Sequence, residues 1–374
     1  MTFDVAVIGL GAMGSAALYH LARRNVRAVG IERFLPGHER GSSHGSTRII
    51  RLGYFEHPSY VPMLRRAYVL WRELEGASGR SLMTITGIAE IGREDSGLVQ
   101  GTLASSRLHD LPHEILDAAA LVRRYPAFHV PADFVGVVQP DGGYLEAEAA
   151  VQAHLELARS KGADVRHHQR VLAIEPKGDG VRIFLDAGTI EAGTAIVAAG
   201  PWVKSLLPDL PTDLQVTRQA VLWVEPQMPE MFLPEHFPVF MIETAQGIHY
   251  GFPLHGKDGV KIAKHHHSDQ VVDPETYDRQ VTAEDEKIVR DVISEYLPAA
   301  DGKVLTAKTC LYTMSADEHF ILDRLPGCPQ VIVASPCSGH GFKFAPVIGE
   351  TLADLATNGA TAHDISRFRL SRFA

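Results

Sequence analysis

Cysteine is scarce. The 374-residue chain has three, Cys310, Cys328 and Cys337, and no pair has the C-x-x-C spacing of a zinc or redox motif. So small and odd a count gives no disulfide framework, which points to a reducing, cytoplasmic location. Basic charge is also short. Lys and Arg total 36 against 45 Asp and Glu, a formal net charge of -9, so the basic face that nucleic acid demands is missing. A local arginine–lysine pocket can still receive an anionic small molecule. No apolar run reaches the roughly 18 residues of a membrane helix. The apolar N-terminus carries Asp4 and lacks the basic start of a secretion signal. Low-complexity linkers and internal repeats are absent too. With 45% hydrophobic and 22% charged residues, the chain has ample apolar material for a large core. Its length suits two domains or one large α/β unit.

Glycine, by contrast, is placed with a pattern. Val5-Ala6-Val7-Ile8 reads as a strand buried on both faces. Gly9-Leu10-Gly11-Ala12-Met13-Gly14 follows, then a helical stretch with Leu18 and Leu21, then a second apolar run from Val26 to Ile31 that ends at Glu32. In this strand–loop–helix–strand unit Gly9 permits the tight turn and Gly11 lets backbone approach a pyrophosphate. Gly14 lets the helix pack closely, and the helix N-terminus offers free N–H groups to phosphate. Glu32 stands where an acid accepts hydrogen bonds from ribose hydroxyls. The motif specifies a dinucleotide and leaves FAD and NAD as alternatives.

Farther on, Glu146 to Lys161 has helical spacing closed by Gly162, and Val171–Glu175 with Val181–Leu185 reads as a hairpin across Lys177-Gly178-Asp179-Gly180. Ala195 to Gly200 and Val331 to Ala334 read as buried strands, and Pro346 to Ala356 as a helix ended by Asn358-Gly359. Residues 216–315 alternate in the manner of strands. The expectation is an α/β fold (α+β overall), a Rossmann-like domain interleaved with an antiparallel-sheet substrate domain, each assembled from separated segments.

Six stretches carry a family resemblance: GLGAMGSA (Gly9 to Ala16), SSHGSTRIIR (Ser42 to Arg51), VAAGPW (Val197 to Trp202), VKIAKHH (Val260 to His266), CLYTMSADEHFILD (Cys310 to Asp323) and SGHGFKFAPVIGE (Ser338 to Glu350). Through them the chain resembles, end to end, the monomeric sarcosine oxidase and N-methyltryptophan oxidase group of covalent flavoproteins. The resemblance implies FAD attached through Cys310, with residues 1–81, 145–215 and 316–374 as the FAD-binding domain and 82–144 and 216–315 as the substrate domain. It implies a carboxylate clamp of Arg51 and Lys343, with Tyr250 on the substrate side. Lys261, His265, Arg48, His44 and Tyr312 are the implied catalytic residues. The implied cofactor contacts are Gly9, Gly11, Ala12, Met13, Gly14, Glu32, Arg33, Ser43, His44, Thr47, Arg48, Val171, Gly200, Trp202, Cys310, Gly339, Gly341 and Lys343.

The activity so implied is oxidation of a small N-methyl amino acid, with O2 as acceptor, by a monomer free of nucleic acid, membrane or metal. His265-His266-His267 has no partner spacing for a metal, and consecutive residues point to different sides. Ser46, Leu52 and Phe55 replace the aspartate, histidine and glycine of the family pattern beside the expected pocket, which leaves the substrate side chain open. Two rivals stand at this point: an NAD-dependent dehydrogenase, and a flavin-bearing subunit whose partner performs catalysis.

Overall fold

The structure is a computed structural model that describes residues 2–268 and 270–373. The first strand, Thr2–Ile8, lies at the centre of a sheet, parallel to Ala28–Ile31 on one side and to Gly188–Val197 on the other. Asp164–Arg166 and Cys328–Ser335 extend the parallel set. Both faces of these strands are covered, which explains their unbroken apolar runs. Helices Ala12–Arg23, Ala147–Ser160 and Ala345–Asn358 pack on one face, through Leu18, Leu21, Val151, Leu155, Ile348 and Leu352. The hairpin Val171–Lys177 with Gly180–Leu185 adds an antiparallel edge, turning at Gly178 with φ +58°.

A second sheet of eight strands runs in the order Val304–Ser315, Leu214–Val224, Val260–Lys264, Gly247–Gly251, Val239–Thr244, Ile88–Arg93, Phe134–Gln139, Glu114–Asp117. It departs from the expected antiparallel pattern at one place. Val239–Thr244 lies parallel to Ile88–Arg93 because the chain leaves this sheet after Gln139 and re-enters at Leu214, and a parallel pair needs such a long crossover.

Helix Ala283–Tyr296 seals one face of this sheet, burying Val289, Val292 and Ile293 against Leu222, Val224, Val260 and Ile262. Strand parity sends the intervening residues to the opposite face, where Val221, Trp223 and Ala263 gather with Tyr250. A small third sheet, Thr47–Ile50, Gly143–Glu146 and Met83–Ile85, ties the two large ones together.

Candidate active site

A cavity of about 330 Å3 runs from the glycine-rich loop to that open sheet face. At its nucleotide end, Gly9 has φ +86°, and a Cβ there would stand 2.6 Å from the Ala198 carbonyl oxygen. A Cβ on Gly14 would fall 1.8 Å from the Gly9 oxygen, so the turn closes only with glycine at both positions. Helix Ala12–Arg23 starts at Gly11 with no capping hydrogen bond from Gly11, while Ser43 Oγ accepts from the Ala12 N–H at 3.1 Å. Met13, Arg33, Val171, Gly200 and Trp202 line the same end. Glu32 is buried and does more than the sequence signals. Its carboxylate accepts from the Leu10 N–H at 2.8 Å and the Phe34 N–H at 2.9 Å, so it shapes the glycine loop itself.

The middle of the cavity is bounded by the segment Ser42–Arg48. Arg48 donates to the carbonyls of Thr47 (2.8 Å), Ser42 (3.0 Å) and His44 (2.5 Å), and Ser42 Oγ donates to the Leu311 carbonyl at 2.6 Å. Glu148, in the first turn of helix Ala147–Ser160, accepts from the Gly45 N–H at 2.7 Å. His44 is 2% exposed, and neither ring nitrogen has a partner. Burial, with Arg48 nearby, lowers its pKa to about 3, so the ring is neutral. Two orphaned nitrogens on a cavity wall are a costly arrangement unless a ligand supplies their hydrogen bonds.

The sheet face supplies the far wall. Lys261 is 2% exposed, and its Nζ donates to the carbonyls of Gly45 and Thr47, both at 2.7 Å. Its ammonium also lies 4.6 Å from the Phe252 ring centroid. Burial, and secondarily Arg48, lowers its pKa well below the ordinary lysine value. Thr47, expected as a cofactor contact, accepts from Lys261 through its carbonyl and hydroxyl and is not among the residues lining the cavity.

Cys310 is in register with Gln219 on the neighbouring strand and faces the cavity. Burial raises its thiol pKa, and Arg48 and Lys261 pull against that rise. Tyr312, two residues on, shares this face with Tyr250, whose pKa burial pushes up to about 12. His265 Nδ1 stands 3.4 Å from Tyr312 Oη, and burial with His266 keeps the imidazole neutral. His267 turns away, with its ring Nε2–H donating to Asp285 at 3.0 Å.

Arg51 and Lys343 come together at the substrate end, both buried. Arg51 Nη2 donates to both oxygens of Glu56 at 2.7 Å, and Nη1 to the Gly53 carbonyl at 2.7 Å. Lys343 Nζ donates to the His340 carbonyl at 2.9 Å, and burial beside Arg51 lowers its pKa to about 7. His340 Nε2–H donates to the Glu318 carbonyl at 3.0 Å, which leaves Nδ1 to accept from Tyr54 Oη–H at 2.6 Å.

Glu56, Tyr54 and Met241 lie outside every motif, and His340, though inside the stretch Ser338 to Glu350, carries no role in the sequence pattern. Of the three departures from the family pattern, none lines the cavity among the described residues. Leu52 packs on the core, Ser46 takes φ +62° in the loop, and the Phe55 ring centroid lies 4.8 Å from the Arg51 guanidinium. Gly339 and Gly341 line the cavity, but the protein alone demands them. A Cβ would meet Tyr312 at 2.5 Å in one case and the Pro336 oxygen at 1.6 Å in the other.

An elongated dinucleotide with an aromatic ring system fits these walls: the helix N-terminus at one end, the unpartnered His44 nitrogens in the middle and two basic side chains at the other. Comparison with known proteins follows the same line. Residues 4–355 match the family described as FAD dependent oxidoreductase. The chain is 43% identical to monomeric sarcosine oxidase from Streptomyces avermitilis, over 100% of this chain and 98% of that one. It is 36% identical to N-methyl-L-tryptophan oxidase from Yersinia pestis, over the full length of both. Among solved structures, NikD, an amino acid oxidase of nikkomycin biosynthesis in its open form, superposes with a TM-score of 0.86 at 27% identity, covering 98% of this chain and 97% of its own.

Proposed function

The chain belongs to the FAD dependent oxidoreductase family, and from that premise we propose that it oxidises the carbon–nitrogen bond of a small N-methyl amino acid. Membership decides for FAD over NAD, which the glycine motif left open. FAD, when bound, accepts two electrons from the amine and passes them to O2, giving H2O2. The imine left behind takes up water and yields an aldehyde and the demethylated amino acid.

One observation carries the reading: a single cavity holds two buried basic side chains, Arg51 and Lys343, at one end and a third, Lys261, on the same sheet face as Cys310. Arg51 and Lys343 receive the substrate carboxylate, to which both present basic groups held at one end of the cavity. Glu56 and the Gly53 carbonyl hold the guanidinium in place at this end of the cavity. Buried basic groups disfavour a protonated amine, and His265, held neutral by burial, adds no positive charge beside it. Lys261 stabilises negative charge as it develops on dioxygen, because charge arriving in a dry cavity restores its own.

Cys310 carries the flavin as a thioether; its place on the cavity wall between Arg48 and Lys261 supports this. We assign the FAD-binding domain to residues 1–81, 145–215 and 316–374 and the substrate domain to 82–144 and 216–315, a division supported by the two large sheets. A self-sufficient, monomeric oxidase is the form proposed. The test is aerobic turnover of the purified yellow protein across N-methyl derivatives of glycine, alanine, proline and tryptophan. One substrate should give H2O2 and aldehyde in equal amounts, and a flavin that none of them reduces under anaerobic conditions would refute the reading.

A further inference from the structure

The segment 270–282 leaves the substrate sheet and crosses toward the nucleotide end of the cavity. Its root is fixed. The Val272 N–H donates to the Val216 carbonyl at 2.8 Å, and Arg218 donates to the carbonyls of Asp278 (3.1 Å) and Gln280 (2.5 Å). Arg218 is itself buried and held by both oxygens of Asp285 at 2.8 Å.

The outer part of the segment rests on one side chain. Glu275 Oε1 accepts from Arg33 Nη1 at 2.5 Å and from Trp202 Nε1 at 3.0 Å, and Arg170 lies 3.7 Å away. Those two donors and the third, ionic neighbour come from three separate pieces of the nucleotide fold: the residues after strand Ala28–Ile31, the turn Gly200–Trp202, and the residue before strand Val171–Lys177. All three line the cavity. Arg33 directly follows Glu32, the acid at the ribose position, which places this contact over the adenosine half of the groove.

We propose that Glu275 is a cofactor latch: the strap 270–282 closes over the adenosine half of the groove, and the Glu275 carboxylate keeps it closed. The proposal rests on FAD as resident cofactor. The ion pairs are part-exposed, about a third for Arg33 and Glu275, so each is weak and screened by salt. The latch therefore governs how fast the dinucleotide enters before Cys310 is joined to it, and how fast it leaves where that bond is absent, more than how stable the fold is.

The test uses the full chain carrying Cys310→Ser, loaded with FAD, so that release is reversible. Release is followed after dilution by the rise of free-flavin fluorescence. Glu275→Ala and Glu275→Gln in that background should release FAD about fivefold faster at low ionic strength. The difference from the parent should vanish near 0.5 M NaCl, where surface pairs are screened. Equal rates in parent and variants would overturn the latch. Faster release by the same factor at every salt concentration would overturn it too, since that marks general loosening and no ionic latch. A Cys310→Ser protein that takes up no flavin would fail the cofactor reading itself, and the latch with it.

Discussion

At the scale of single residues, the cavity's chemistry comes from charges held where water cannot reach them. Lys261 is the sharpest case, because its two carbonyl acceptors fix its position and burial makes its charge expendable. Lys261→Met should leave anaerobic flavin reduction within a few-fold of the parent and slow reoxidation by O2 at least about a hundredfold, the scale of losing one preorganised charge; stopped-flow absorbance separates the two half-reactions. Glu90 is a residue that no motif announced. It lies 3.7 Å from Arg51, is fully buried, and has no hydrogen-bond partner for either oxygen. Burial raises its pKa from 4.5 to about 7. Below the ordinary value the carboxyl is neutral in both folded and unfolded chains, so its replacement changes nothing there. Above about 7 the folded protein holds a buried charge at a cost. Glu90→Gln should therefore raise the thermal midpoint at pH 8, with the gain shrinking to nothing as pH falls to 4.5. A gain independent of pH would refute this account of Glu90. Lys343 has the opposite window: its cost is full below about 7 and fades toward the ordinary lysine value.

At the scale of elements, parity and propensity decide which side chains meet. Val260 and Ile262 enter the core under helix Ala283–Tyr296, so Lys261 between them must face the cavity, and Cys310 and Tyr312 keep the same face of their strand. This much was legible in the sequence, as were the glycine turn, the hairpin and the helices flanking the first sheet, because period and glycine spacing are local signals. The pairing of Glu56 with Arg51, the partners of Lys261 and the parallel pair Val239–Thr244 with Ile88–Arg93 were not. They join segments by crossovers or irregular loop, which no local period encodes. Helix Ala283–Tyr296 opens with a capping box, Thr282 Oγ1 accepting from the Asp285 N–H and Asp285 accepting from the Thr282 N–H. Thr282→Ala should cost about 1 kcal/mol in urea denaturation while leaving the flavin spectrum unchanged. Gly14→Ala should do the reverse of a mild change, since its methyl meets the Gly9 oxygen head-on; loss of bound flavin from the purified variant checks it.

At the scale of the whole molecule, the chain crosses between the two large sheets several times, and the cavity lies where they meet. The floor comes from strands Val260–Lys264 and Val304–Ser315, the nucleotide end from the loop after Thr2–Ile8, and the substrate end from residues on both sides of the third sheet. A ligand spanning this cavity touches groups from segments 8–56, 151–221, 241–265 and 310–343, and the unfolded chain can assemble none of that site. Binding then stabilises the fold by mass action, about 2.7 kcal/mol when free ligand stands a hundredfold above its dissociation constant. In Cys310→Ser, where FAD is exchangeable, the thermal midpoint should climb steadily with added FAD and saturate only through solubility, and the unfolding should remain one transition because neither sheet keeps its own continuous chain. ADP, which fills only the nucleotide end, should raise the midpoint less. A midpoint indifferent to FAD would mean that the cavity does not hold the dinucleotide across both sheets.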